Sequence, residues 1–282
     1  MYADDPDSVA YQLLMQTLYL KHPRRWPVLG ERAAFDCLTR QDVLDYHASR
    51  YVPNNVVLSI AGDVDAAEIL SHLKSRPLNR EPIPHEPHQF GSRRVRKEFA
   101  VPYSKLHLAW RLPCSAHPDT PALSALSSIL GGGRSARFYE KFHDRLGLVY
   151  SIEVHSNQSE TDEGAFTISM DVDRAQRDKV RDLVLQELRN LAEEDFTEDL
   201  KRVCKQTRVS RLRRRSSASG VASEMGADWF GSRNLNLSSE WQEAIERVTT
   251  EDLHRVCSTW LSSPNVTEVS LDPPGSNAGD EE

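Results

Sequence analysis

At 282 residues, 39% hydrophobic and 27% charged, the chain is long enough for two domains that each bury a core, and its composition excludes disorder over the whole length. A formal net charge of -7, from Lys+Arg 35 against Asp+Glu 42, repels phosphate and argues against a general nucleic-acid or anionic-membrane binder. Cys37, Cys114, Cys204 and Cys257 show neither the close pairing of a zinc site nor a disulfide framework, and they read as reduced thiols.

No apolar run approaches the ~20 residues needed to cross a bilayer, and the opening Met1-Tyr2-Ala3-Asp4-Asp5-Pro6 is acidic where a signal peptide would be basic. The chain is therefore expected to be soluble and cytoplasmic, without membrane insertion; the periplasm or an organelle is the alternative. Met1 leads almost directly into a helical pattern, as an internal methionine would. Val9, Leu13, Leu14 and Leu18 recur at helical spacing, so residues 8–20 are predicted to form a core-facing helix capped by Ser8 or Asp7. Pro23, Pro27 and Gly30 make residues 21–30 a loop. Thr39 and Asp42 resemble a capping box, after which Val43, Tyr46, His47 and Tyr51 line one stripe of a second helix. Pro53-Asn54-Asn55 ends it, Val56 to Ala61 reads as a buried strand, and residues 66–73 as a further helix.

Pro77, Pro82, Pro84 and Pro87 punctuate a linker. A new domain begins beyond it, with strands predicted at 95–99 and 105–112, helices at 119–130 and 135–146, strands at 149–154 and 165–172, and a helix at 174–192. A long helical stretch, 197–230, is expected to break near 216–220. Its basic run Arg211-Leu212-Arg213-Arg214-Arg215 reads as a solvated helix face, because the chain as a whole is acidic. Residues 273–282 form a polar, acidic tail expected to be disordered.

Two distant segments resemble each other. Leu38-Thr39-Arg40-Gln41-Asp42-Val43 matches Val248-Thr249-Thr250-Glu251-Asp252-Leu253; at the same offset Tyr46 meets Val256 and Tyr51 meets Leu261. One residue later Pro53-Asn54 meets Pro264-Asn265, and Ser59-Ile60 faces Ser270-Leu271. Both copies read as capped helix, Pro-Asn turn and buried strand. Roughly 150 residues of domain precede the second copy, a normal domain length, whereas only 38 precede Thr39, so about 110 residues of a first domain are expected to be absent.

Tyr51-Val52-Pro53-Asn54-Asn55 followed by Ala61-Gly62-Asp63-Val64-Asp65 resembles the insulinase (pitrilysin) metallopeptidases, especially their mitochondrial-processing-peptidase-like branch. So does Gly131-Gly132-Gly133-Arg134-Ser135 followed by Leu146-Gly147-Leu148-Val149-Tyr150-Ser151. The resemblance implies an α+β fold of two similar mixed α/β domains closing like a clamshell around an extended peptide. On that plan residues 1–77 are the C-terminal part of the first, catalytic-type domain, N-terminally truncated, 78–98 the linker and 99–272 the complete second domain.

The family's zinc motif is H-x-x-E-H, in which two His ligate zinc and the Glu is general base. None of the ten histidines here has that spacing, and the third ligand, a Glu, is expected upstream of Met1. Metal ligands and cofactor are thus expected only in a missing N-terminal half or a zinc-bearing peptidase partner subunit, none in this chain. His85-Glu86-Pro87-His88 lies among prolines, where no helix can place both imidazoles on one face. Gly131-Gly132-Gly133 lacks the Lys-Ser/Thr of a phosphate loop and reads as a helix stop.

The resemblance further implies that the second domain supplies an Arg and a Tyr, seven apart, reaching toward substrate at the zinc. Tyr150 matches the tyrosine, whose phenol can donate to a developing oxyanion; the arginine position is His143, with Arg145 nearby. The expected function is thus a peptide-binding, non-catalytic portion of an insulinase-family zinc peptidase. A non-catalytic assembly subunit, like the core subunits of respiratory complexes, and a mis-started gene for an active metalloendopeptidase are the rival readings.

Overall fold

In a computed structural model, the protein is described over residues 4–52, 55–65, 67, 69, 84, 86–158, 163–261 and 264–274. Helix α1 (Pro6–Leu18) is capped by Asp5, whose carboxylate accepts from Ser8 N at 3.1 Å, with Pro6 in the first turn, where its missing N–H costs nothing. The cap therefore lies two to three residues before the expected Asp7 or Ser8. A short α2 (Arg32–Asp36), which no sequence pattern announced, precedes α3 (Arg40–Arg50). The Thr39–Asp42 capping box forms in both directions.

Five strands make one sheet: β1 (Arg93–Glu98), β2 (Ser104–Leu112), β3 (Ser151–Asn157), β4 (Gly164–Val172) and β5 (Thr267–Asp272), in the order β1-β5-β2-β4-β3. Only β1 and β5 are parallel; the other neighbours are antiparallel. Helix α4 (Thr120–Gly131) packs on β3, and the turn after it leads into a wide, π-type helix α5 (Tyr139–Arg145), in which Leu146 N reaches back five residues to Lys141 O at 3.0 Å. Then come α6 (Arg177–Asn190), α7 (Thr197–Arg214), α8 (Ala218–Ser232), α9 (Leu237–Glu246) and α10 (Thr250–Val256). The break between α7 and α8 falls where expected, with Ser217 as cap, whereas α9 was not foreseen. This mixed α+β architecture is the class read from the sequence.

The chain forms two compact units. The first comprises Met1–Pro27, Ile83–Val203 and Arg247–Glu282 and contains the sheet. Along β2, Leu106, Leu108, Trp110 and Leu112 point to one face and Ala109 to the other, where α1 lays Leu14, Met15, Leu18 and Tyr19 against Ala109, Ala165 and Val269. Glu86 fixes the chain leaving α1: its carboxylate accepts from the backbone N–H of Leu20, Lys21 and His22 at 2.6–2.8 Å. Burial, which would raise the Glu86 carboxyl, is outweighed by these three donors, and it sits below its ordinary value.

The second unit, Val28–Pro82 and Cys204–Glu246, holds α2, α3, α8, α9 and most of α7. Here one expectation fails. Residues 56–60 belong to no strand among the described residues, and Val56, Leu58 and Ile60 are exposed rather than buried. A strand exists only where a neighbour takes its N–H and C=O groups, and this unit offers none among those residues. The predicted helix at 66–73 apart from Ala67 and Ile69, residues 78–83 and 85 of the linker, Pro53-Asn54 and residues 275–282 of the acidic tail lie outside the described residues, and the last part of the linker stretch, Arg93–Glu98, is strand β1.

The two copies of the repeat therefore share local structure and differ in environment. Thr249 and Asp252 form the same two-way box as Thr39 and Asp42. Yet Leu253, Val256 and Leu271 are 0% exposed, while their counterparts Val43, Tyr46 and Ile60 are 57%, 62% and 42% exposed. β5 is flanked by β1 and β2, whereas the equivalent segment at 56–60 has no strand beside it among the described residues, only Ser59 donating to Ala222 O of α8 at 2.7 Å.

Candidate functional site

The turn from α5 into β3 places the sequence-predicted site residues. Gly147 sits at φ +59°, a left-handed conformation that lets the chain reverse after α5, and Leu148 N closes the reversal on Phe142 O at 2.9 Å. Tyr150 then enters the sheet, its N–H donating to Asp171 O at 2.8 Å. Its ring is half-exposed and stacks on Tyr103, centroids 3.9 Å apart and 32° inclined. Its hydroxyl donates to Asp173 Oδ1 at 3.0 Å. That hydrogen bond, reinforced by the carboxylate's charge, holds the phenol above its ordinary value. The phenol proton is thus engaged by Asp173.

His143 is not drawn to Tyr150. It stacks on Tyr139, one turn earlier in α5, at 4.3 Å, and its Nδ1 lies 2.7 Å from Asp144 Oδ1. Arg145 pairs with Glu140. Sequence reasoning singled out Tyr150 but not its neighbours Tyr103 and Asp173, 47 and 23 residues away along the chain, because only strand register brings them together.

Other sequence features receive structural explanations. Gly131 ends α4 so close to β3 that an added Cβ would lie 2.4 Å from Val154 N, and Gly133 takes φ +105°, so the glycine run serves helix–strand packing and a turn. His88 packs edge-on against Phe90 at 4.9 Å; His85 lies outside the described residues. In the basic run, Arg211 and Arg215 reach the buried Glu224 at 3.2 and 2.6 Å. Burial would raise that carboxyl, but the two guanidinium groups outweigh it and hold it low. None of the four cysteines is in a disulfide, and burial pushes Cys257 up to about 12, which leaves it unreactive.

Among the described residues no group of three or more His, Cys, Asp or Glu side chains is placed to hold a metal ion, and the full sequence contains no H-x-x-E-H. The donor set for a zinc site does not fit here, and no catalytic step can be routed through zinc on these residues. No helix among them is long and apolar enough to cross a membrane.

Comparison with known proteins gives a consistent picture. The family model described as the peptidase M16 inactive domain matches residues 38–206. The zinc protease PqqE of Helicobacter pylori is 24% identical over 285 residues, covering 96% of this chain and 63% of that protein. The chain thus spans somewhat less than two thirds of this relative's length. In fold it is similar to a peptidase M16 inactive domain from Pseudomonas fluorescens, at TM-score 0.83 and 22% identity over 99% of this chain and 68% of the other. It is also similar in fold to a chain of complex III2 from Candida albicans, at TM-score 0.77 and 15% identity over 96% and 67%.

Proposed function

This chain belongs to the peptidase M16 family, through its inactive domain, and from that premise we propose that it is the non-catalytic portion of an insulinase-type zinc peptidase. It works only with a zinc-bearing half or partner subunit, and of the expected first-domain stretch 1–77 only residues 28–77 remain assigned to a first domain which that complement completes, because residues 1–27 pack with the sheet-bearing unit. The observation that carries this reading is the contrast between the repeat copies: Leu253 and Leu271 are buried where Val43 and Ile60 are open. Fully burying such a side chain contributes about 1.5–3 kcal/mol, so the exposure of Val43, Tyr46, Val56, Leu58 and Ile60 favours a covering partner.

In this reading the sheet of the first unit forms one wall of a peptide-binding chamber and Tyr150 faces the substrate. Its phenol swaps Asp173 for a peptide carbonyl as negative charge develops there. His143, held by Tyr139 and Asp144, plays at most a supporting part. The test is Tyr150→Phe assayed together with an H-x-x-E-H-bearing complement. A fall in kcat of tenfold or more with little change in KM is expected, the signature of a contact made mainly in the transition state. Stable incorporation into a larger assembly, with no effect of this substitution on any peptidase, would favour an assembly subunit instead.

A further inference from the structure

Helix α1 packs on β2 and β5 and leaves a cleft of about 300 Å3 between itself and the edge strand β3. Two sets of contacts fix the direction of the helix. Asp7, in its first turn, meets Lys105 at 2.6 Å, and Lys105 also holds Asp171, opposite Ser151, at 3.1 Å. Beyond its other end the Tyr19 hydroxyl donates to the Glu163 carbonyl at 3.2 Å, beside the start of β4 and the Asn157 end of β3. Helix and edge strand therefore run the same way, and the cleft has two distinct ends.

Opposite charges stand at those ends. Glu153, His155 and Asn157 of β3 are exposed and line the cleft; they pair with Ser169, Thr167 and Ala165, so they share the face on which α1 touches Ala165. The Glu153 carboxylate lies 3.4 Å from His155 Nε2 and meets no Lys or Arg among the described residues. Arg24 marks the other end, beside Tyr19: burial raises the Tyr19 phenol, and the Arg24 charge works against that rise. Among the described residues Arg24 enters no ion pair, since Glu163, whose charge also reaches Tyr19, is bound by Arg111. From Glu153 to Asn157 is four strand residues, roughly 13 Å. Three or four residues of extended peptide span about 10–14 Å. Leu14 and Met15 give the cleft an apolar wall between its charged ends.

We propose that this cleft binds a short free peptide of about three or four residues, laid along β3 with its C-terminal carboxylate on Arg24 and its N-terminal ammonium on Glu153. A guanidinium presents parallel N–H donors that match a carboxylate, and an ammonium gives Glu153 charge-assisted bonds, so blocking either terminus removes one anchor. The site lies wholly within the first unit, and the proposal does not depend on the peptidase reading.

The test is calorimetric titration of the full chain with trialanine, with its C-terminal amide and with its N-acetyl form. Trialanine should bind saturably, and each blocked form at least about tenfold more weakly. Arg24→Gln should erase the difference between acid and amide while keeping the penalty for acetylation; Glu153→Gln should do the reverse. That reciprocal pattern would establish both anchors and the orientation. No saturable binding of trialanine at millimolar concentration, equal binding of all three forms, or variants that leave both penalties in place or exchange them would overturn the proposal.

Discussion

Replacing Gly131 by alanine sets two effects of opposite sign against each other. Inside a helix, alanine in place of glycine stabilises by about 1 kcal/mol, through reduced backbone entropy in the unfolded chain. Against that, the new Cβ would lie 2.4 Å from Val154 N, 2.6 Å from Val154 Cβ and 2.8 Å from its Cγ2. Two of these atoms belong to, or are fixed to, the backbone of a paired strand and cannot swing aside, so α4 must lift from β3. Overpacking of this kind costs about 1–3 kcal/mol and more where backbone must move, so the clash exceeds the helix gain. The net expectation is destabilisation by about 1–2 kcal/mol. Urea unfolding of the full chain should show a midpoint lowered by about 0.5–1 M, for a slope of about 2 kcal/mol/M. An unchanged or higher midpoint for Gly131→Ala would refute the argument that close packing, rather than ligand contact, places glycine there.

Two further perturbations read the electrostatics. Because Glu86 has a folded pKa below its ordinary 4.5, its contribution is fully present above that pH and fades as pH falls through the lower folded value. Glu86→Gln should therefore cost about 1–2 kcal/mol near neutrality and converge with the parent chain in strong acid, whereas a pH-independent difference in unfolding free energy would contradict the role given to its three amide contacts. Asp173→Asn removes the carboxylate that raises the Tyr150 phenol, so its titration, isolated by subtracting the Tyr150→Phe chain, should move to lower pH in phenolate absorbance. A curve that stays in place would mean the hydroxyl is not held by Asp173 in solution.

How far the sequence carries this account depends on whether a feature is local. The two capping boxes were legible because Thr39 and Asp42, or Thr249 and Asp252, sit three residues apart and satisfy each other whatever surrounds them. The strands at 104–112 and 164–172 were legible from alternation. The segment at 56–60 was read as a strand from its nearly continuous run of β-branched and aliphatic residues, but such a run does not specify whether a neighbouring strand is present to pair with it. The wide turn of α5 depends on Leu146 reaching Lys141 rather than Phe142, a choice no residue type announces. Tyr150 was singled out through resemblance, whereas its contacts with Tyr103 and Asp173 emerge only when β2, β3 and β4 come into register.

The central claim is tested most directly by measuring zinc content and peptide cleavage of this polypeptide, first alone and then mixed with a separately produced segment bearing H-x-x-E-H. The account predicts no stoichiometric metal and no turnover alone, with chelator-sensitive cleavage appearing on mixing. A tightly bound zinc ion together with chelator-sensitive hydrolysis by the polypeptide on its own would contradict it.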